Sequence, residues 1–458
     1  MNRSTAEGPW SISPRGVAGS DPSGSPGADG DPVSSGFCVA AMVQRSRVTI
    51  ARAPLNQAIV ADFRVVGGID RVSLKPQMAQ MLYFVAGEHS GDIRGAELIK
   101  ALKRERPDWR FRGLGGPRMK DLAGSGMTDW VEDAAVLGLW EVLKRYGWFK
   151  KRFEDTKREI EELKPDAVVF VDYPGFNMRL AKALAEEAPL VRRIYYISPQ
   201  VWAWNKGRIR DMATCLDLML CLFPFEAELF QRAGLPAVCM GHPMVEQLEE
   251  HRISKPREEN LVALLPGSRA NEISRIFPLM VKVVAQLQER FPDWKFETAA
   301  ASVLLENQMR EIVDTHAQKP LRLVIRQGGS HELMQRAWCG VVTSGTATLE
   351  ASYYGLPYCL VYKVAWPTYL LGRALIDIDF LGLANILAGR KIVHEFIQHE
   401  ANVGNISSFL EAVMTDSYLW KEIEGDLHEV SAGLGNGKAA EIAAGAVMDL
   451  LEQRDDGD

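Results

Sequence analysis

From residue 81 onward the chain repeats one pattern: a short continuous apolar run, a polar turn, then a longer stretch with apolar residues at helical spacing. Met81-Leu-Tyr-Phe-Val-Ala86, the turn Gly87-Glu-His-Ser-Gly-Asp92 and an amphipathic stretch over 93–104 are its first instance. Strands of a parallel sheet covered on both faces need continuous rather than alternating apolar runs. The same pattern predicts strands at 110–115, 167–171, 193–197, 216–223 and 238–240, and Gly241-His-Pro243 closes this half. After a charged link at about 249–260 it restarts at Leu261-Val-Ala-Leu-Leu265 with a helix through Ile276, Leu279, Val283 and Leu287, and continues with strands at 296–300, 321–325, 341–343 and 358–362. Several helices with a break at Gly435-Asn-Gly437 end the chain. The expectation is an α/β protein of two Rossmann-like halves with a cleft between them and no G-x-G-x-x-G fingerprint.

In such sheets the loops at the carboxyl ends of the strands face the ligand crevice, so the turns after the apolar runs hold the candidate chemistry. The turn after the first strand offers Glu88, His89, Ser90 and Asp92 for substrate contacts, although Ser90 or Asp92 in such a place also serves as a helix cap. Asp172 ends the 167–171 run before a Pro-Gly turn, where a carboxylate acts either as a catalytic base or as a cap. In the second half, Gly267 permits an unusual backbone angle beside Ser268, and Arg269 carries a charge that does not titrate away, a good anchor for a diphosphate. Ser344-Gly-Thr346 joins a strand to a helix, and the first amides of a helix, with its positive dipole end, make a socket for phosphate oxygens. Glu350, one turn on, is placed to accept from a sugar hydroxyl. A capped helix after a buried strand is the plainer reading of that stretch.

Composition narrows the class. Of 458 residues, 47% are hydrophobic and 24% charged, as in a globular enzyme, and a net charge of −6 argues against a nucleic-acid binder. Six scattered cysteines without a C-x-x-C pair read as reduced core thiols of a cytoplasmic protein. His394 and His399, placed on a helix, fall on different sides and do not form a metalloprotease site. Asp377 and Asp379 form one D-x-D, which more often caps a helix edge than binds a metal. No window reaches the roughly 18 consecutive apolar residues of a membrane span. Residues 1–77, rich in Gly, Ser, Pro and Asp at first, are expected to be disordered, with translation starting at Met78 or Met81. The segment 136–153 interleaves Trp140, Leu143, Trp148 and Phe149 with Lys150, Lys151 and Arg152. That is either an interfacial helix for an anionic leaflet or an ordinary helix burying one face.

Six motifs then occur in series: Gly87-Glu-His-Ser-Gly-Asp92, Gly115-Gly-Pro-Arg-Met119, Ser198-Pro-Gln-Val-Trp-Ala-Trp204, Leu265-Pro-Gly-Ser-Arg269, Ser344-Gly-Thr-Ala-Thr-Leu-Glu350 and Asn385-Ile-Leu-Ala-Gly-Arg390. Together they closely resemble the lipid-A-disaccharide synthase family from about residue 81 to the end. The resemblance implies a GT-B glycosyltransferase fold whose C-terminal helices return to the first domain. Its implied divisions are an extension to 77, an acceptor domain at 78–245, a UDP-sugar domain at 246–420 and returning helices at 421–458. It implies an inverting transfer from UDP-2,3-diacylglucosamine to 2,3-diacylglucosamine 1-phosphate (lipid X), giving the β-1',6-linked disaccharide and UDP. No cofactor is expected, and no metal, because the 344–346 helix start and Arg269 are expected to stabilise the departing diphosphate. Asp172 matches the family's acidic residue and a candidate base. Arg269, Glu350 and Asn385 match its nucleotide-sugar contacts. Lipid substrates make 136–153 the expected dock on the inner face of the cytoplasmic membrane. The chain departs from the family at His89, often Thr; at Gly175, where a second acid stands; and at Ala384, often Pro. The Gly175 departure leaves Asp172 as the base. A UDP-sugar 2-epimerase of the same fold, and a non-catalytic nucleotide-sugar-binding module, are the competing readings.

Overall fold

The computed structural model describes residues 79–134, 145–366, 369–370 and 378–452, apart from the side chain of Trp204. The expected disordered leader and the start at Met78, Trp140 and Leu143 of the basic-aromatic segment, and Asp377 of the D-x-D lie outside the described residues.

Two parallel sheets organise the chain. The first has seven strands: β1 (Met81–Ala86), β2 (Arg110–Gly115), β3 (Met127–Asp129), β4 (Ala167–Val171), β5 (Arg192–Tyr196), β6 (Leu218–Cys221) and β7 (Ala237–Cys239), in the order β3-β2-β1-β4-β5-β6-β7. The second has six: β8 (Glu258–Leu265), β9 (Lys295–Ala300), β10 (Leu323–Gln327), β11 (Ala337–Thr343), β12 (Tyr358–Tyr362) and β13 (His394–Ile397), in the order β10-β9-β8-β11-β12-β13. Each order reverses once, beside β1 and beside β8, and such reversals open a crevice at the carboxyl ends of the strands. These are the two Rossmann-like halves expected from the repeated pattern, and their arrangement is the GT-B fold that the resemblance implies.

Double coverage explains the continuous apolar runs. Tyr83 and Val85 of β1 pack into one core with Val168 and Phe170 of β4, while Leu82, Phe84 and Ala86 pack into another with Val169 and Val171. The second of these cores also takes Ala443, Ala444, Val447 and Leu451 from the terminal helix Ala439–Glu452. The chain therefore leaves the first sheet near 242, builds the second, and returns. The two crossings touch: the His242 amide donates to the Leu434 carbonyl at 2.7 Å. A Cβ at Gly435 would stand 2.9 Å from the Gly241 Cα, so the crossing requires glycine.

Two strands were not anticipated. β3 (Met-Thr-Asp) and β13 (His-Glu-Phe-Ile) are short and half or more polar, so no apolar run announces them. His394 consequently lies on a strand rather than a helix. The helix Tyr146–Leu163 carries the described part of the basic-aromatic segment, and it corrects the interfacial expectation for two residues. Trp148 stacks on the buried Trp130 with ring centroids 5.9 Å apart, and Phe149 packs beside it against the first core. Both are partly buried there, so much of their apolar surface is used against the protein. Lys150 and Lys151 remain exposed, and the Arg152 guanidinium lies 5.8 Å from the Trp148 ring centre. Among the described residues, no helix is long and apolar enough to cross a membrane.

Candidate active site

The parallel register of β1, β4 and β5 brings three turns of the first sheet together. Ala86 pairs with Val171, and Val171 with Tyr196, so Glu88, Asp172 and the turn beginning at Ile197 leave the same sheet edge side by side. The backbone there is unusual. Asp172 (φ 45°), Tyr173 (φ 50°) and Ile197 (φ 74°) occupy the left-handed region, and for a β-branched residue such as Ile197 this is a true outlier. Residues held this way persist only when their surroundings over-determine them.

Asp172 is over-determined in that sense. Its amide donates to the Tyr196 carbonyl at 3.0 Å, and its carbonyl accepts from Tyr195 Oη and Asn177 Nδ2, each at 2.7 Å. Its backbone is thus pinned while its carboxyl stays outside the sheet's hydrogen bonding. Part of Asp172 reaches solvent, yet enough protein surrounds the carboxyl that burial raises its pKa, against a smaller opposing effect of the Tyr173 amide. Burial also raises Glu88, and the charge on Asp172 raises it further. Like charges resist joint ionisation, so the two carboxyls titrate as a coupled pair. Glu88 stands at the N-cap of the helix His89–Glu105 without capping it through its side chain, which leaves its carboxyl available. A companion carboxylate for Asp172 therefore exists. It comes from the first strand's turn, not from position 175, which is an exposed glycine.

Ser90 is exposed in the first turn of that helix. Asp92 is different and corrects its assignment as a substrate contact. It is buried, and it accepts from the amides of Gly116, Arg118 and Met119 at 2.9–3.0 Å. It caps the helix Pro117–Ala123 and so fixes the Gly-Gly-Pro-Arg-Met turn.

In the second sheet, Leu265 pairs with Val342, so the turns after β8 and β11 leave the same edge as neighbours. At Gly267 (φ 109°) any side chain would be strained, and a Cβ would lie 2.2 Å from the Glu272 carboxylate and displace it. Ser268 is exposed. Arg269 stands at the N-cap of the helix Ala270–Arg290, about half exposed, its guanidinium 3.2 Å from Glu272. The Ser344 amide donates to the Val361 carbonyl and extends the sheet, which leaves its hydroxyl, with Gly345, Thr346 and the first amides of the helix Thr346–Tyr353, for a ligand. Glu350, on that helix, has an oxygen 3.5 Å from His331 Nε2.

Asn385 requires a second correction. It is wholly buried; its amide nitrogen donates to Val393 O and Glu395 Oε1, and its oxygen accepts from the amides of Ile392 and Val393. Every polar atom of its side chain is engaged by protein. With Glu395, which also accepts from the Leu381 and Gly382 amides, it fastens the turn beside β13. Sequence reasoning also missed Tyr195, Asn177 and His331. Asn177 carried one local signal, an amide in the first turn of the helix after Asp172; the other two carried none.

Comparison with known proteins gives the family. The family model described as Lipid-A-disaccharide synthetase matches residues 82–441. A lipid-A-disaccharide synthase of Geobacter sulfurreducens is 35% identical over 381 residues, 81% of this chain and 97% of that protein. A lipid-A-disaccharide synthase 1 of Legionella pneumophila is 35% identical over 369 residues, 79% of this chain and 95% of that protein. Among solved structures, a putative UDP-N-acetylglucosamine 2-epimerase from Listeria monocytogenes superposes with a TM-score of 0.54 at 14% identity, covering 82% of this chain and 98% of that one; at that identity it speaks for the fold alone. On the length and consistency of these matches, the chain belongs to the lipid-A-disaccharide synthetase family of glycosyltransferases.

Proposed function

We propose that this enzyme joins two acylated glucosamines by a single inverting displacement, with Asp172 as the base. The carboxylate of Asp172 takes the proton of the acceptor's 6'-hydroxyl as that oxygen bonds to the anomeric carbon of UDP-2,3-diacylglucosamine. The bond from that carbon to the diphosphate breaks, UDP leaves with the electron pair, and the new linkage is β. General-base help of this kind contributes roughly 10²- to 10⁴-fold. The observation that carries the reading is the pinned backbone of Asp172 combined with a carboxyl whose pKa burial lifts toward the working range. Glu88, which leaves the neighbouring strand beside it, is placed to hydrogen-bond a sugar hydroxyl.

The nucleotide end is held by the second sheet. The Ser344 hydroxyl, Gly345, Thr346 and the first helix amides cradle the departing diphosphate, Gly267 and Ser268 admit it close to the backbone, and Arg269 supplies the fixed positive charge. Glu350 accepts from the ribose. Residues 78–245 serve as the acceptor domain and those from 246 as the nucleotide-sugar domain, which keeps the helix Ser417–Ala432 through Trp420, Ile423 and Leu427; the helix Ala439–Glu452 returns to the first. Lys150 and Lys151, exposed on one helix with Arg152, hold the enzyme against the anionic inner face of the cytoplasmic membrane, where lipid X resides.

Incubation with UDP-diacylglucosamine radiolabelled in the sugar, with and without lipid X, tests the reading. A labelled disaccharide formed only with acceptor is expected. An epimerised nucleotide sugar, or binding without product, would replace this reading by one of its competitors.

A further inference from the structure

Glu226 has no part in the chemistry above, yet it is wholly buried and surrounded by donors. Its Oε2 accepts from Ser198 Oγ at 2.6 Å and from the amides of Leu222 and Phe223 at 3.2 and 3.3 Å. Its Oε1 accepts from Trp202 Nε1 at 2.9 Å. The two amides belong to its own turn, at the start of the helix Pro224–Arg232, and would satisfy an ordinary helix-capping glutamate. Ser198 and Trp202 belong to another segment, the Ser-Pro-Gln-Val-Trp turn that follows β5. Burial raises the Glu226 pKa while these four donors oppose the rise, an expensive placement for a residue that only caps a helix.

The turn it grips is the strained one. Ile197, in the left-handed region, immediately precedes Ser198, and the amides of both converge on the Leu220 carbonyl at 3.1 and 3.2 Å. One residue earlier, the Tyr196 carbonyl accepts the Asp172 amide, and Tyr195 Oη donates to the Asp172 carbonyl. A continuous path therefore runs from Glu226 through Ser198 and Ile197 to the backbone of Asp172. We propose that Glu226 is a positioning residue, clamping the 198–202 turn so that the strained Ile197 persists and the acceptor faces Asp172 in a fixed geometry. The link to Asp172 rests on the reading of that residue as the base.

Glu226→Gln tests it, because an amide nitrogen must then face at least one of the four donors. The expected result is a fall in kcat on the order of 10- to 100-fold, as for a small misplacement of reacting groups, with the UDP product-inhibition constant changed less than about twofold. Because Glu226 acts through its partners, adding Ser198→Ala and Trp202→Phe to E226Q should lower kcat little further, whereas independent sites would multiply their losses. A folded E226Q with near-normal kcat, an equal loss in UDP inhibition, or multiplying losses would each overturn the proposal. If E226Q does not fold, S198A and W202F carry the test: a lower kcat at constant UDP inhibition supports it, and an unchanged kcat overturns it. Asp172→Asn is read separately. Near-normal turnover there, with E226Q impaired and its losses non-multiplying, would sink the base assignment and leave the clamp.

Discussion

The strand-end turns that carry the candidate site differ between the two sheets. After β4 and β5 the unusual backbone angles fall on Asp172, Tyr173 and Ile197, residues with full side chains; after β8 and β11 they fall on Gly267 and Gly345, while Gly241 and Gln398, also at positive φ, follow the edge strands β7 and β13. A turn that must present a carboxylate at a fixed point cannot use glycine there, so it bears the strain and needs Tyr195, Asn177 and Tyr196 to hold it. A turn that must let a diphosphate reach the backbone has the opposite need, and glycine meets it without strain. The first half is thus expected to answer to changes in side-chain chemistry, the second to changes in backbone access.

Asp172→Asn should give the largest effect, a fall in turnover of roughly 10²- to 10⁴-fold with UDP affinity nearly unchanged. Asparagine suits the left-handed backbone almost as well as aspartate, so the fold survives. Its stability should even rise at neutral pH. Burial raises the folded-state pKa of Asp172, so the stability present at low pH is lost as pH rises through that raised value, and an uncharged amide escapes the loss. A higher melting temperature for D172N at neutral pH, converging with the parent in acid, is the expected outcome. Near-normal turnover would remove Asp172 from its role.

The reverse pattern is expected in the second sheet. Arg269→Ala should weaken UDP binding by roughly 10- to 100-fold, the range for a hydrogen bond to a charged group. Gly267→Ala, which forces a Cβ into the Glu272 carboxylate at φ 109°, should do the same without removing any charge. Titration calorimetry with UDP reads both. If G267A bound UDP normally while R269A did not, the second half would depend on side chains too, and the contrast between the sheets would fail.

Glu88→Gln sharpens the first half. The acid limb of kcat/KM is expected above the ordinary aspartate range, because burial raises Asp172 and the base works only when ionised. Removing the titrating partner should make that limb a single ionisation, while the glutamine amide still hydrogen-bonds a sugar hydroxyl and keeps the maximal rate within about tenfold. An unchanged profile would take Glu88 out of the site.

How much of this the sequence disclosed follows from the range of each interaction. Strands such as β1 and β4 were legible because double burial writes itself into consecutive apolar residues, and the turns that hold Asp172, Arg269 and Ser344 were legible as turns because they follow such runs. Asp92 was misassigned because its partners, Gly116, Arg118 and Met119, belong to the next strand's turn. Asn385 was misassigned because its saturation depends on how the chain folds back through Ile392, Val393 and Glu395. The Glu88 and Asp172 pairing exists only through the parallel register of β1 with β4. Trp148 and Phe149 looked like a lipid-facing surface because composition cannot say that Trp130 waits beneath them.

That last distinction gives the smallest expected effect. If the first half meets the membrane through side-chain charge alone, Lys150→Ala should weaken binding to anionic vesicles by about fivefold, near 1 kcal/mol for one lysine at such a surface. The loss should vanish at high salt, where the Debye length falls to about 3 Å. Trp148→Ala should behave differently: its ring is stacked on Trp130 inside the protein, so the melting temperature should drop while vesicle binding by the folded fraction stays unchanged. If instead W148A lost vesicle binding and K150A did not, the aromatic face would have to turn outward at the membrane. The helix Tyr146–Leu163 would then be a moving part of the acceptor half rather than a charged rim upon it.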